Sequence, residues 1–450
     1  MKRQLTLAIG AALLGASSAA FAITDSEANP TFPLSFANPG ARSMGMGGAF
    51  LGLADDATAA YANPAGITQL VTPEISIEAR HTNYSLPFIN GGNATSSPFN
   101  AAGLQTANAD SSINNLSFLS IVYPHDRWSF AFYRDETLNF HTSYASDLNG
   151  EGVDEGNTGV VFPISVNANL KIINYGFSAA WRVSEQLSLG AGLSYYDFHI
   201  NTVSSAKSPI FGGIVTNPGV PVNSQAQFGS DQAFGANFGA RFVLNEQWSA
   251  GLVYRRGPKF SYAANNKGVN DSLIFNDDGT ITFVPTPGGG SSFDLRNVRF
   301  KVPDVYGAGL SWHPTDALVV NFDTDYVEYS QLTRGIQTLF GNDPAIVSHL
   351  SIPNGAEIHL GGEYTFTQMT HPFSIRAGVW HDPRHSIEFK GDPGSDLGAL
   401  PLAVLFAGTK GSQNHGALGL GWAFSKFQID AAADFSDLTD IYSISAVYRF

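Results

Sequence analysis

The C-terminal end of the chain alternates between apolar and polar side chains. A period of two with one apolar face is typical of a β-strand. Because this face reaches the last residue, where chains usually fray, we expect the closing strand of a barrel whose outer face meets lipid. An ordinary amphipathic edge strand would show the same alternation. The apolar positions are Tyr442, Ile444, Ala446, Tyr448 and Phe450, and the positions between them are Ser443, Ser445, Val447 and Arg449.

The same period recurs upstream. About fourteen strands follow residue 73, each long enough for a tilted membrane strand of roughly 9–11 residues. Four aspartates fall on the polar faces of these strands, and they should point into the lumen because a charge facing lipid is costly. The clearest strands are 187–199, 248–256, 318–326, 414–424 and 427–435, and the aspartates are Asp323, Asp325, Asp430 and Asp434.

The connections fall into two classes, short polar turns and long loops. Five of the six short turns lead at once into a large apolar residue, which predicts a belt of bulky side chains at one interface. Short turns on one side and long loops on the other are typical of outer-membrane barrels, with the turns periplasmic. The turns are 123–127, 184–186, 245–247, 313–316, 368–372 and 425–426, and the loops are 85–111, 141–165, 202–232, 265–293, 335–354 and 387–412.

The N-terminus has the features of a secretory signal. Lys2 and Arg3 precede an uncharged apolar run, which ends in Ala20-Phe21-Ala22. The run is short for a membrane anchor, so we expect residues 1–22 to be cleaved. An exported chain without a further apolar helix can enter a membrane only as a closed barrel.

Composition supports this interpretation and excludes several function classes. Only 14% of the residues are charged, whereas 12% are aromatic, and the chain contains 47 glycines and no cysteine. Without Lys2 and Arg3, 22 basic residues face 38 acidic ones, a net charge of −16. Such an acidic chain is a poor candidate for nucleic acid binding. The sequence contains no Gly-x-Ser-x-Gly, no phosphate loop and no His-Glu-x-x-His, so we expect no enzyme, no cofactor and no metal site.

Residues 23–72 depart from the alternation. They are rich in glycine and small apolar residues. Asp55 or Asp56 can cap a short helix through Tyr61, which Asn63-Pro64 then ends. We expect this segment to plug the lumen, because a barrel of this size would otherwise be a wide pore. The domains are thus a signal peptide (1–22), a hatch (23–72) and a barrel (73–450).

The run Gly40-Ala-Arg-Ser-Met-Gly-Met-Gly-Gly-Ala-Phe-Leu-Gly-Leu-Ala-Asp-Asp-Ala-Thr-Ala-Ala-Tyr-Ala-Asn-Pro-Ala-Gly66 resembles the N-terminal hatch of the FadL/TodX family. These are outer-membrane transporters for long-chain fatty acids and other hydrophobic compounds. A secretion-associated group of barrels has a similar start. The resemblance places a hatch motif on Asp55, Asp56, Asn63, Pro64, Ala65 and Gly66. It implies a fourteen-stranded plugged barrel and a sideways exit where a strand near 128–140 kinks inward.

Two sets of residues are candidate contacts for ligand or lipid. Apolar residues in the expected loops could form a capture groove, or they could pack on one another. Three basic residues near a strand end could bind a fatty carboxylate or lipopolysaccharide phosphates. The apolar set is Phe88, Phe211, Phe340, Leu402, Val404, Leu405 and Phe406, and the basic set is Arg255, Arg256 and Lys259.

The sequence thus predicts an all-β outer-membrane barrel of a Gram-negative bacterium that takes up hydrophobic molecules passively. Its expected partners are a hydrophobic small molecule, such as a long-chain fatty acid, and the lipid and lipopolysaccharide around it. We expect a monomer. The alternative is a plugged barrel that serves the assembly of a secretion or surface complex.

Overall fold

Long antiparallel strands make up most of the described chain. The computed structural model describes residues 34, 36–96, 99–146, 164–207, 221–268, 271–275, 281–285, 292–334, 349–391, 403, 406–407 and 411–450. The predicted signal peptide lies outside these residues. The strands are β1 (Glu74–Ser96), β2 (Phe99–His125), β3 (Trp128–Ala145), β4 (Ile164–Arg182), β5 (Leu187–Lys207), β6 (Pro221–Val243), β7 (Trp248–Arg256), β8 (Lys259–Gly268), β9 (Asp271–Phe275), β10 (Ile281–Pro285), β11 (Ser292–Lys301), β12 (Val305–Thr315), β13 (Leu318–Val327), β14 (Leu350–Ser351), β15 (Gly355–Phe366), β16 (Phe373–Asp382), β17 (Glu388–Phe389), β18 (Gln413–Ala423), β19 (Phe427–Phe435) and β20 (Thr439–Arg449).

Fourteen of these strands close into a barrel. Neighbours along the chain pair in turn, and β1 pairs with both β2 and β20, so the sheet has no free edge at the closure. The predicted fourteen-stranded antiparallel barrel is therefore confirmed. The barrel strands are β1–β7, β12, β13, β15, β16 and β18–β20. Strands β8 and β11 extend the wall upward from β7 and β12, and they pair with β6 and with each other.

All six predicted short turns join strands at one end of the barrel, which we call the turn end. For example, β2 ends at His125 and β3 begins at Trp128, with Asp126 between them at a φ of 52°. Aromatic rings follow the turns, and Trp128 stacks on Trp181 at 5.7 Å between ring centroids. The opposite end, where the long connections lie, is called the loop end.

The predicted loop 85–111 is wrong. Strands β1 and β2 pair from Glu74 and Val122 to Ser96 and Phe99, so most of that range is a long hairpin. The predicted loops 141–165 and 202–232 likewise begin or end within strands. The first six strands are 18–27 residues long, whereas the other barrel strands have 9–12.

The polarity of the side chains on the six long strands changes at about half of their length. Near the turn end their outward side chains are apolar, and we call this part the lower wall. Nearer the loop end they form the upper wall (80–96, 99–115, 138–145, 164–172, 196–207 and 221–233), where the pattern is reversed in β4 and β5. The outward residues of β5 are apolar in the lower wall (Leu189, Leu193 and Tyr195) and polar in the upper wall (Asp197, His199 and Asn201). Its inward residues change the other way, from Ser188, Gly192 and Ser194 in the lower wall to Tyr196, Phe198 and Ile200 in the upper wall.

Residues 36–72, the N-terminal segment, lie inside the lower wall. They form two short helices, α1 (Ala41–Gly45) and α2 (Ala59–Ala62), and a 3₁₀ helix (Pro64–Gln69). A further 3₁₀ helix covers Tyr329–Arg334 at the loop end. In the described part of the chain, no helix is long and apolar enough to cross a membrane.

Candidate functional site: the barrel interior

The N-terminal segment contacts the wall without a solvent layer between the two backbones. A Cβ built on Gly419 of β18 would lie 2.9 Å from the Cα of Gly45. A Cβ on Gly361 of β15 would overlap the carbonyl oxygen of Met46. Glycines at these inward positions therefore let the segment's main chain approach the sheet, which any side chain would prevent.

The Asn63-Pro64-Ala65 motif anchors the C-terminal part of the N-terminal segment. Helix α2 ends at Ala62, and Asn63 is extended (φ −146°, ψ 99°), as the following proline requires. The Asn63 side chain accepts a hydrogen bond from Ala65 N at 3.2 Å and starts the 3₁₀ helix. It donates to Leu51 O at 3.0 Å within the segment and to Ala240 O at 3.2 Å on the wall. One buried amide thus joins three pieces of backbone.

Ion pairs connect the N-terminal part of this segment, around α1, to the wall. Arg42 contacts Asp55 at 2.5 Å and Glu363 of β15 at 2.9 Å. Arg376 of β16 continues the chain of ion pairs, to Glu363 at 2.5 Å and to Asp430 at 2.8 Å. Since Arg376 and Asp430 are almost fully buried, removing one partner would leave an uncompensated charge in the lumen.

The two aspartates of the hatch motif both lie near Arg42, at 2.5 Å for Asp55 and 3.5 Å for Asp56. Asp56 also accepts a hydrogen bond from Thr58 N at 2.9 Å just before α2. The inward direction predicted for the four strand aspartates is also observed, because all four are at most 2% exposed. Asp323 accepts hydrogen bonds from Phe50 N and Leu51 N and thereby holds the middle of the segment.

The position of Arg255 contradicts the prediction that its side chain can contact lipopolysaccharide. It is only 7% exposed and points inward, where it donates to Phe36 O, Asn38 Oδ1 and Ala62 O. It therefore cannot reach lipopolysaccharide outside the barrel. The alternation in β7 explains this, because Arg255 follows outward-facing Tyr254 and precedes exposed Arg256. Arg256 and Lys259 are exposed and stay candidates for phosphate contacts.

The interior of the upper wall is apolar. Inward residues of the long strands pack into one cluster around Phe198, which stacks on Phe260 at 4.7 Å. Phe406, a predicted ligand contact, is 2% exposed and belongs to this cluster. Phe88 was predicted in a loop, but it lies on β1 and stacks on Tyr144 at 4.3 Å. The other predicted apolar contacts, Phe211, Phe340, Leu402, Val404 and Leu405, lie outside the described residues.

A cavity opens beside this cluster, between the segment and the loop end. Its volume is about 100 Å³, and it is partly open to solvent. Burial would lower the pKa of His385 in its lining, but the neighbouring Asp382 carboxylate outweighs burial and raises that pKa to about 9. The two side chains form an ion pair, with 3.1 Å between His385 Nδ1 and Asp382 Oδ1. The apolar lining residues include Leu34, Tyr84, Leu86, Trp380, Leu438 and Ile441.

The wall is interrupted between β2 and β3. Their pairing begins at His125 and Trp128 but stops at Phe118 and Asp135, and beyond a bulge β3 continues beside β4 alone. Tyr144 of β3 reaches Phe88 of β1, on the far side of β2, so the upper half of β3 bends inward.

Polar side chains bridge the interruption. Asn115 of β2 donates to Glu136 Oε1 at 2.7 Å, and Arg134 of β3 donates to the carbonyl of Leu116. The predicted inward kink near 128–140 thus lies at the bulge between Asp135 and Leu138. The segment contains no glycine to signal it. The signal that could have found it is the shift of β3's inward residues from odd to even numbers.

Comparisons with known proteins agree with this architecture. A family model described as outer membrane protein transport protein (OMPP1/FadL/TodX) matches residues 22–388. Outer membrane protein P1 of Haemophilus influenzae is 22% identical over 378 residues, which cover 76% of this chain and 75% of that protein.

Solved structures share the fold at low sequence identity. A Pseudomonas aeruginosa FadL homologue has a TM-score of 0.61 at 14% identity, covering 91% of this chain and 97% of its own. The Pseudomonas putida toluene transporter TodX has a TM-score of 0.54 at 13% identity, covering 92% and 99%. With the family model matching most of its length, the chain belongs to the OMPP1/FadL/TodX family of outer-membrane transport proteins.

Proposed function

We propose that this protein carries hydrophobic molecules passively across the outer membrane, with long-chain fatty acids as the main substrate class. The observation that carries the proposal is the position of the wall interruption. It lies where the apolar upper interior meets the lower wall, at the bulge between Asp135 and Leu138. A molecule held inside would there have a sideways path that avoids the plugged lower lumen.

The driving force for capture is removal of an acyl chain from water, about 0.8 kcal/mol per buried methylene. Such a chain fits an apolar interior better than the polar lumen below it. His385 in the cavity lining is paired with Asp382 at 3.1 Å, and this pair offers polar contacts for a carboxylate, which a hydrocarbon does not need. This favours fatty acids over the cargo of the structural relatives described as a monoaromatic hydrocarbon channel and a toluene transporter.

The N-terminal segment is proposed to act as the hatch. Its contacts through Asn63 and Arg42 hold it across the lower lumen, and a shift of this segment would release cargo without an energy source. Arg256 and Lys259 are proposed to contact lipopolysaccharide phosphates, and the barrel is proposed to work as a monomer.

The test is uptake of labelled oleate, with labelled toluene in parallel, by a Gram-negative host that lacks its own fatty-acid transporter. At matched surface expression we expect this protein to restore oleate uptake. Toluene uptake without oleate uptake would correct the substrate class, and uptake of neither would contradict transport and favour an assembly role.

The route can be tested in the same cells. Because the chain has no cysteine, Asn115→Cys with Glu136→Cys adds the only thiols, at two side chains that now touch. The oxidised protein should lose most oleate uptake and regain it on reduction. Each single-cysteine variant is the matched control and should transport in both redox states. Uptake that is unchanged by a quantitative cross-link would exclude this route.

A further inference from the structure

We propose that Asp325, Glu357 and His359 form a binding site for a divalent transition-metal ion, with Zn²⁺ as the best match. The inference is independent of the transported substrate. One ligand atom from each of these three residues can be chosen so that all three lie within 4.8 Å of one another. All three side chains are inside the barrel and at most 2% exposed.

The cross-strand register brings the two carboxylates together. Asp325 of β13 is the direct partner of Glu357 of β15, and both point into the lumen. Like charges directly opposite each other in a sheet are destabilising, and burial increases that cost. A cation between the two carboxylates would offset both effects.

The imidazole supplies the observation that points to a ligand. His359 Nδ1 lies 2.7 Å from the carbonyl oxygen of Gly47, which can only accept, so Nδ1 carries a proton. His359 Nε2 is buried and lacks a hydrogen-bond partner among the described residues, as does Asp325 Oδ1. In a neutral ring Nε2 presents its lone pair to Glu357 Oε2, an acceptor 3.7 Å away. Two acceptors at this distance suit a shared cation.

The spacing and the surroundings fit a metal ion. Zn²⁺ bonds of about 2.1 Å place tetrahedral ligand atoms roughly 3.4 Å apart, close to the observed 3.7 Å. Histidine ligands usually donate their second N–H to a carbonyl, as His359 does to Gly47. Tyr329 Oη donates to Glu357 Oε1 at 2.6 Å and leaves Oε2 directed at the site. Mixed imidazole and carboxylate donors suit Zn²⁺ better than Mg²⁺ or Ca²⁺.

The site would join the N-terminal segment to the wall. His359 holds Gly47 of that segment, so an ion that fixes the ring also fixes this contact. Glu357 borders the cavity at the loop end, which gives the ion a path from outside. We therefore expect zinc to raise the melting temperature of the folded protein.

The test uses the full-length mature protein, purified in detergent without a histidine tag and stripped with a chelator. After addition of ZnCl₂ and desalting, elemental analysis should find one zinc per chain. His359→Gln and Glu357→Gln should weaken zinc affinity by at least about tenfold, while a folded barrel persists by heat-dependent gel migration. X-ray absorption should show nitrogen and oxygen ligands at about 2.1 Å.

Asp434→Asn is the matched control. Asp434 pairs with His415 at 2.6 Å in the same lumen, but that pair offers only two donors. This variant should bind zinc like the unaltered protein. Absence of stoichiometric zinc in the unaltered protein, or equal binding by folded His359→Gln and Glu357→Gln, would overturn the proposal.

Discussion

The lower and upper walls are built from the same strands but have opposite chemistry. In β4, outward Tyr175 and Phe177 of the lower wall give way to outward Lys171 and Asn169 of the upper wall. Inward residues change in the reverse sense, from Ser178 to apolar residues such as Leu170 and Ile172. The lower wall has an apolar outer face and encloses the N-terminal segment, whereas in β4 and β5 the upper wall has a largely polar outer face and an apolar inner face. The medium outside each wall, rather than the strand, decides which face is apolar.

The largest expected effect comes from removing the centre of the upper interior. Phe198→Ala should lower the free energy of unfolding by about 3–5 kcal/mol, because it leaves a cavity against Phe260 and Phe300. Denaturant unfolding in detergent, followed by tryptophan fluorescence, measures this. Asn201→Ala, on the water-facing side of the same strand, should stay within about 0.5 kcal/mol. A loss below about 1 kcal/mol for Phe198→Ala would mean that the upper interior is hydrated rather than packed.

The boundary between the lower and upper walls can be located by placing an arginine at either of two positions on the outer face of β5. Leu193→Arg places a charge on the lipid-facing side and should cost about 2–4 kcal/mol. His199→Arg lies on the same face of β5 but in the upper wall, beside Asp197, and should cost almost nothing. Unfolding in lipid vesicles compares the two variants. Equal costs would place both residues in the same medium and remove the distinction between the walls.

The strands of the lower wall could be predicted from the sequence because their apolar residues face outward, as expected for a barrel surrounded by lipid. The upper wall did not, because polar outward residues such as Asn167 and Asn169 resemble a loop when only the outward face is considered. A search for strands with either their apolar or their polar residues facing outward would have found the upper wall.

Contacts across the lumen could not be predicted in the same way. Arg255 is bonded to Phe36, more than 200 residues earlier, and Asp325 faces Glu357 only through the strand register. A period of two gives the face of a residue but not its partner. No glycine or proline marks the bulge in β3, so only the shift of its inward residues from odd to even numbers signals its position.

The smallest expected effect concerns the polar side of the lower wall, which binds the N-terminal segment. Asn63→Ala removes the cap on Ala65 and the donations to Leu51 O and Ala240 O. Leaving buried carbonyls unpaired should cost about 1–3 kcal/mol, and the loss should be local, because the wall's own ladder is untouched. Hydrogen exchange should therefore accelerate in the N-terminal segment but not in the barrel strands, and oleate uptake should slow. Asn201→Ala again serves as the control. Faster exchange throughout the barrel would show that the segment is part of the wall's stability, whereas unchanged exchange and uptake would remove Asn63 from the proposed hatch.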